Sequence, residues 1–462
     1  MYHNEIILLE SNVYNNRYSY VKKCINGDSF IYYSQKSLNR LKKIKWEKRD
    51  DIICMKWIKH CLLIQCRYKI YIFSPEDERI EEFKNIQFII YRILNAISLN
   101  ELICETIDNK LIYVFLERNI TVEIAAIEDG IIKIKKKINS HYEKNAIKKI
   151  LSFRNNRIKS NDLSIYYNKE QTIISYSGRK IKIFGFIESF IRVHNTVLFL
   201  ISSFKNAGRI FSWDELVNDL DLRRKPTFHH KYINDIPVYD NEFVSTTCLF
   251  LIHGGPESHY LPIYDYLIDQ LEKLKSYRIV LVNYVGSTGY GLDYQKKIYN
   301  NGGITDLASI ISVIEEYSEE KIIIGESYGG YLSILTALKS NIKLKKVVSI
   351  NGFTDIYTQS NFSVIRNIMY KYFDIENKFL ISGINPLSIV EGGKNPNCQV
   401  VFIHSIRDSV CPIIQIRKFV NSLIKMKCNS YELILTDVTH QQFNLNEREK
   451  ITRILIKSLK EE

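Results

Sequence analysis

KIIIGESYGGYLSILTALKS, residues 321–340, carries the strongest structural signal in the chain. An apolar run, Ile322-Ile323-Ile324, ends at Gly325-Glu326-Ser327-Tyr328-Gly329, and a helical pattern begins at once. Strand, tight turn and helix with serine at the apex is the G-x-S-x-G elbow in the context that it requires. The glycines answer a steric need: the turn leaves no room for side chains beside a serine held in a strained conformation. The helix N-terminus behind the turn favours developing negative charge. The pattern predicts a strand over 321–326, a helix over 328–340 and Ser327 as a nucleophile.

Outward from the elbow, apolar runs alternate with helical stretches. Strands are predicted at 248–253, 277–284, 346–350, 399–404 and 431–436, and helices at 262–275, 304–319, 413–427 and 445–460. Continuous Val/Ile/Leu strands are those buried on both faces, so the alternation predicts a mostly parallel sheet covered by helices. Ligands of such sheets bind beyond the carboxyl ends of the strands. The fold class expected is therefore α/β, an α/β-hydrolase domain.

A serine hydroxyl needs a base, and the base needs a carboxylate to orient it; in this fold the chain order is Ser, Asp or Glu, His. His404 and His440 are the two histidines downstream of Ser327. His404 ends a strand, whereas His440 follows the last strand in LTDVTHQQF and is the expected base. Asp408 follows the penultimate strand and is the favoured acid. Asp437, three residues before His440, is its rival. Two N–H donors must face the developing oxyanion. Tyr328, directly after the serine, is expected to supply one, and Gly254 of LFLIHGGPESH (249–259) the other. His253 has either a structural or a direct role. Phe353 and Tyr357, near a strand end, are candidates to line a substrate pocket, with ordinary core packing as the competing reading.

The composition changes near residue 225. Residues 1–225 hold five of the 19 glycines and one of the eight prolines, Pro75. We expect residues 1–225 to form a β-rich domain and 226–462 the catalytic domain, with DLRRKPTFHH (221–230) as linker. Short strands are expected at 29–34, 68–73, 111–116, 163–168 and, with a basic face, 131–138, with a turn and a returning strand after Ser74. Tyr32, Tyr71, Tyr113 and Tyr166 recur at intervals of 39, 42 and 53. Propeller blades repeat every ~40–50 residues, so a short propeller-like domain is one reading and an irregular β-domain the other.

The formal net charge of +13 invites a nucleic-acid reading, but the lysines are spread along the chain rather than gathered into a patch. No nucleic-acid partner is expected. Nine scattered cysteines without a CxxC pair suit a reducing, cytoplasmic compartment. No run is long and apolar enough for a membrane span. The chemistry read from Ser327, Asp408 and His440 calls for no cofactor and no metal. Oligomeric state has no sequence signal.

HGGPES, NYVGSTGYG (283–291), GESYGGY (325–331), HSIRDSVCPIIQ (404–415) and THQQF (439–443), in that order, resemble the motifs of the prolyl oligopeptidase family of serine peptidases. The match is best with its acylaminoacyl-peptidase and oligopeptidase branch and covers about residues 235–462. The resemblance implies a Ser327–Asp408–His440 triad, an acyl-enzyme, cleavage of short peptides or acylated amino acids, and a β-propeller over the site. An esterase or amidase, a peptide transpeptidase or macrocyclase, and an inactive binding protein are the other readings that the same scaffold allows. The chain departs from the family pattern at three places. Val285 replaces the arginine of NYRGS, Ser405 the glycine after the strand-end histidine, and Thr439 the glycine before the catalytic histidine. Seven blades would need ~280–350 residues, so the region before 226 has room for four or five.

Overall fold

The computed structural model describes the strands named below within residues 5–134, and residues 163–461 apart from 194–195, 362–364 and 441–444. The chain divides into two compact units, Met1–Arg224 and Lys225–Glu462.

The described part of the first unit forms five antiparallel sheets, each a run of consecutive strands. The first holds β1 (Glu5–Asn12), β2 (Arg17–Lys23), β3 (Ser29–Ser34) and β4 (Leu41–Trp46). The second holds β5 (Ile52–Ile58), β6 (Cys61–Cys66), β7 (Ile70–Ser74) and β8 (Arg79–Glu82). The third holds β9 (Ile90–Ser98), β10 (Glu101–Thr106), β11 (Lys110–Phe115), β12 (Ile120–Glu128) and β13 (Ile131–Ile134). The fourth holds β14 (Leu163–Tyr167), β15 (Thr172–Tyr176) and β16 (Arg179–Ile183). The fifth holds β17 (Phe186–Val193), β18 (Thr196–Ser202) and β19 (Arg209–Ser212). The turn at 75–78 and the basic residues 135–138 singled out in the sequence lie outside the described residues.

The first and second sheets share a core, as do the fourth and fifth, because strand residues alternate between faces. Tyr33 of the first sheet meets Phe73 of the second edge-on at 5.0 Å, within a cluster that includes Ile31, Met55 and Ile64. Ile174 and Tyr176 of the fourth sheet pack with Phe199 and Phe211 of the fifth and with Trp213. The tyrosine ladder holds for three rungs. Tyr32, Tyr71 and Tyr113 each fall on the third strand of their sheet, but Tyr166 falls on the first strand of the fourth. Tyr166 is 63% exposed where Tyr71 is buried at 2%, so its spacing does not record an equivalent position.

The second unit is one eight-stranded sheet in the order β20-β21-β23-β22-β24-β25-β26-β27. Its strands are β20 (His229–Ile233), β21 (Ile236–Asp240), β22 (Thr247–Ile252), β23 (Arg278–Val282), β24 (Glu320–Glu326), β25 (Lys346–Ile350), β26 (Gln399–Ser405) and β27 (Tyr431–Thr436). β20 and β21 pair antiparallel, as do β21 and β23, and the remaining pairs are parallel. This is an α/β-hydrolase domain, preceded by an all-β region. β24 lies inside the sheet with Ile322, Ile323 and Ile324 all buried, as expected of a parallel strand covered on both faces. The helix Ile413–Lys425 buries Ile416, Phe419, Val420 and Leu423, the three-to-four spacing of a helix lying on a sheet. The sequence reading did not anticipate β20, β21 or the four short helices between Ile356 and Glu391.

Candidate active site

The elbow is held by backbone contact. Ser327 has φ 53 and ψ −116, a strained conformation for a side-chain-bearing residue. A Cβ on Gly325 would lie 2.1 Å from the Gly329 carbonyl oxygen, and one on Gly329 would lie 2.2 Å from that of Ile252. Glycine at both positions lets strand, turn and helix nest this closely. Ser327 N–H donates to the Ile350 carbonyl at 2.9 Å, tying the turn to β25.

The residues that the sequence singles out meet beyond the strand ends. Ser327 Oγ lies 2.9 Å from His440 Nε2, and His440 Nδ1 lies 2.6 Å from Asp408 Oδ2. A carboxylate can only accept, so Nδ1 carries the proton and Nε2 turns a lone pair toward the serine. The other Asp408 oxygen accepts the N–H groups of Val410 at 2.8 Å and Cys411 at 2.7 Å, which fixes the carboxylate's orientation. His404 is fully buried and its Nε2–H donates to the Cys411 carbonyl at 2.8 Å, while burial lowers its pKa and keeps it neutral. Asp437 is exposed and pairs with Lys450, whose hydrogen bond lowers its pKa. The arrangement can draw a proton from Ser327 to His440 and stabilise the resulting imidazolium on Asp408.

Tyr328 begins the helix Tyr328–Lys339, so its N–H has no intrahelical acceptor. Gly254 lies against Ser327, and a Cβ there would be 3.2 Å from Ser327 Cβ. His253 is buried, stacked on Tyr284 at 4.3 Å, with Nδ1–H donating to the Gly254 carbonyl at 2.7 Å and Nε2 2.8 Å from Ser287 Oγ. Burial pushes its pKa down to about 3, so a neutral ring joins the HGGPES and NYVGSTGYG loops. Phe353 is buried and stacks on Tyr331 at 4.5 Å, while Tyr357 is partly buried against the same core. Val285 is buried, and its N–H donates to Ser309 Oγ at 3.1 Å.

The structure adds three residues that the sequence reading did not name. The Asn351 side chain accepts Ser405 N–H at 2.9 Å and donates to the His440 carbonyl at 3.2 Å, bridging β26 to the histidine loop. Its one sequence signal is the Asn at a strand end in INGF. Glu447 receives both the N–H and the hydroxyl of Thr439, at 3.1 and 2.6 Å. Asp306, fully buried, accepts the Tyr328 hydroxyl at 2.6 Å and the Leu307 N–H at 2.8 Å, and burial pushes it up to about 6. Ser405 Oγ–H donates to the Val438 carbonyl. Residues 441–443, the rest of the THQQF motif, lie outside the described residues. Among the described residues no cluster of His, Cys, Asp or Glu is grouped to hold a metal ion.

Residues 269–458 match the family model of the prolyl oligopeptidase family. The acylamino-acid-releasing enzyme of Rattus norvegicus is 32% identical over 88 residues, 18% of this chain and 12% of that protein. An uncharacterized peptidase of Bacillus subtilis (strain 168) is 24% identical over 190 residues, 38% of this chain and 28% of its own. The chain thus aligns with 12% and 28% of the length of these two curated relatives. An acylaminoacyl peptidase of Pyrococcus horikoshii superposes with TM-score 0.66 over 98% of this chain and 88% of that one, at 17% identity, a likeness of fold.

Proposed function

We propose that the chain is a serine peptidase of short peptides or acylated amino acids, a reading that proceeds from the match of residues 269–458 to the prolyl oligopeptidase family model. The observation that carries this reading is the hydrogen-bonded series Ser327–His440–Asp408 at the end of the elbow strand. In the proposed reaction Ser327 Oγ attacks the scissile carbonyl as His440 Nε2 takes its proton. The N–H groups of Tyr328 and Gly254 receive the oxyanion, and Asp408 holds the imidazolium. His440 then returns the proton to the leaving amine, and water releases the acyl group by the reverse sequence. Preference for a blocked amino terminus follows the name of the rat relative.

Two further features belong to this reading. The described thiols Cys248, Cys398, Cys411 and Cys428 are free and buried, which supports a reducing, cytoplasmic setting. No described helix is long and apolar enough to cross a membrane. The five consecutive sheets support a five-bladed β-propeller for the first unit. Three pairs of first strands neighbour one another, β1 with β5, β5 with β9, and β17 with β1. Fluorophosphonate labelling of Ser327, followed by an acetyl-amino-acid anilide, free peptide and ester panel, tests the reading. A chain that never labels, or that turns over esters alone, would overturn it.

A further inference from the structure

One helix end touches the residue before the nucleophile and the residue before the base. Helix Leu445–Lys460 carries Glu447 and Arg448 side by side. The Glu447 carboxylate receives Thr439 N–H at 3.1 Å and Thr439 Oγ1–H at 2.6 Å, and Thr439 directly precedes His440. Arg448 Nη1–H donates to Glu326 Oε1 at 2.6 Å, and Glu326 directly precedes Ser327. The other Arg448 nitrogen donates to both Asp265 oxygens, at 3.0 and 2.8 Å. Asp265 in turn caps the helix Tyr266–Lys273 by accepting Ile268 N–H at 3.1 Å, so the anchor is part of the framework.

We propose that Glu447 and Arg448 are positioning residues that set the separation of Ser327 and His440, with the Thr439 hydroxyl as the contact on the histidine side. The inference rests on the serine-hydrolase reading above. The two halves of the reactive pair come from parts of the chain 113 residues apart, and the elbow's own backbone contacts do not reach His440. Adjacent side chains on one helix move as a unit, so each displacement of the histidine loop against the elbow must stretch a charge-assisted hydrogen bond at one end or the other. Holding this distance matters because a misplacement of ~1 Å in a reacting constellation costs on the order of a hundredfold in rate. A threonine where the family pattern has glycine gives the carboxylate a second donor.

The decisive variants are Thr439→Val, which keeps the shape and removes the donor, and Thr439→Ser, which restores it. Replacing Arg448 would leave two carboxylates without their shared cation and endanger folding, so Glu326→Gln probes that side instead. Measured against the parent are the fluorophosphonate labelling rate of Ser327, kcat and KM separately, and the melting temperature. Thr439→Val is expected to slow labelling and kcat about tenfold with KM within about twofold, and Thr439→Ser to stay within about twofold of the parent. Glu326→Gln is expected to act on kcat in the same direction. If Thr439→Val labels at the parent rate, or Thr439→Ser falls as far as the valine variant, the positioning role is wrong. A lowered melting temperature with kcat intact would likewise reduce the contacts to scaffolding. A parent that does not label fails the serine-hydrolase reading, and this one with it; a labelling parent whose Thr439 variants match it fails this one alone.

Discussion

The elbow around Ser327 and the loop around His440 are held by opposite means. At the elbow, the backbone itself makes the fit: Gly325 and Gly329 approach other main-chain atoms so closely that any side chain would collide. At the histidine loop, side chains do the holding: Ser405 takes the Val438 carbonyl, Glu447 takes Thr439, and Asn351 takes the His440 carbonyl. A steric mould tolerates almost no substitution, whereas a set of hydrogen bonds loosens by degrees. The position of Ser327 is therefore all-or-none, and that of His440 is adjustable.

Several substitutions test that contrast. Ser327→Ala should abolish covalent labelling and lower kcat by a factor on the order of 10⁴–10⁶ while circular dichroism stays unchanged. Turnover within tenfold of the parent would remove Ser327 from the reaction. Asp408→Asn should lower kcat by about 10⁴, because the amide favours the wrong imidazole tautomer. Asp437→Asn, which loses only its exposed pairing with Lys450, should stay within about twofold. Equal losses in the two variants would contradict the geometry.

Gly329→Ala sets the new methyl against the Ile252 carbonyl, which cannot yield. It should destabilise the domain by ~2–3 kcal/mol or more, read as a lowered denaturation midpoint, and eliminate labelling of whatever remains folded. Ser405→Ala deletes two hydrogen bonds of the loop, to the Val438 carbonyl and from Arg407 N–H. It should destabilise by about 1–2 kcal/mol and slow labelling only partially. A graded loss at Gly329 together with complete loss at Ser405 would invert the comparison.

A further effect is a pH dependence beneath the elbow. Burial pushes Asp306 up to about 6, above the ordinary carboxylate range near ~4. A carboxyl raised in this way binds its proton more tightly folded than unfolded, so its contribution to stability grows as pH falls through about 6 and is complete below the unfolded value. Above about 6 the buried charge is a standing penalty that the Tyr328 hydroxyl only partly offsets. Relative to Asp306→Asn, the parent should gain up to roughly 2–3 kcal/mol between pH 7 and pH 4 in urea titrations. Parallel profiles would mean that Asp306 is not raised.

The same contrast explains what could be read without coordinates. The elbow is legible because sterics impose residue types at fixed spacing, and β25 falls at 346–350, where its apolar run predicts it. β21 was hidden because Pro237 and a flanking Asp240 make IPVYD look like a loop, although all five residues are buried. The helices between 356 and 391 are five to seven residues long, too short to display a period. Asn351 was invisible for a different reason. Its partner His440 is 89 residues away, and a polar side chain at a strand end carries no label saying which distant carbonyl it will meet. Ser405 and Thr439 stood out as departures from a pattern, but only folding shows that their hydroxyls became contacts.

The distance along the chain between Ser327 and His440 also has a meaning in time. At translation rates of ~5–20 residues per second, the 113 residues between them take about 6–23 s to make. During that interval the helix after the elbow is made first, then β26 and β27, and the histidine loop comes last. The nascent serine has no imidazole beside it, so the growing polypeptide is chemically quiet toward its neighbours until the far side of the sheet has been synthesised.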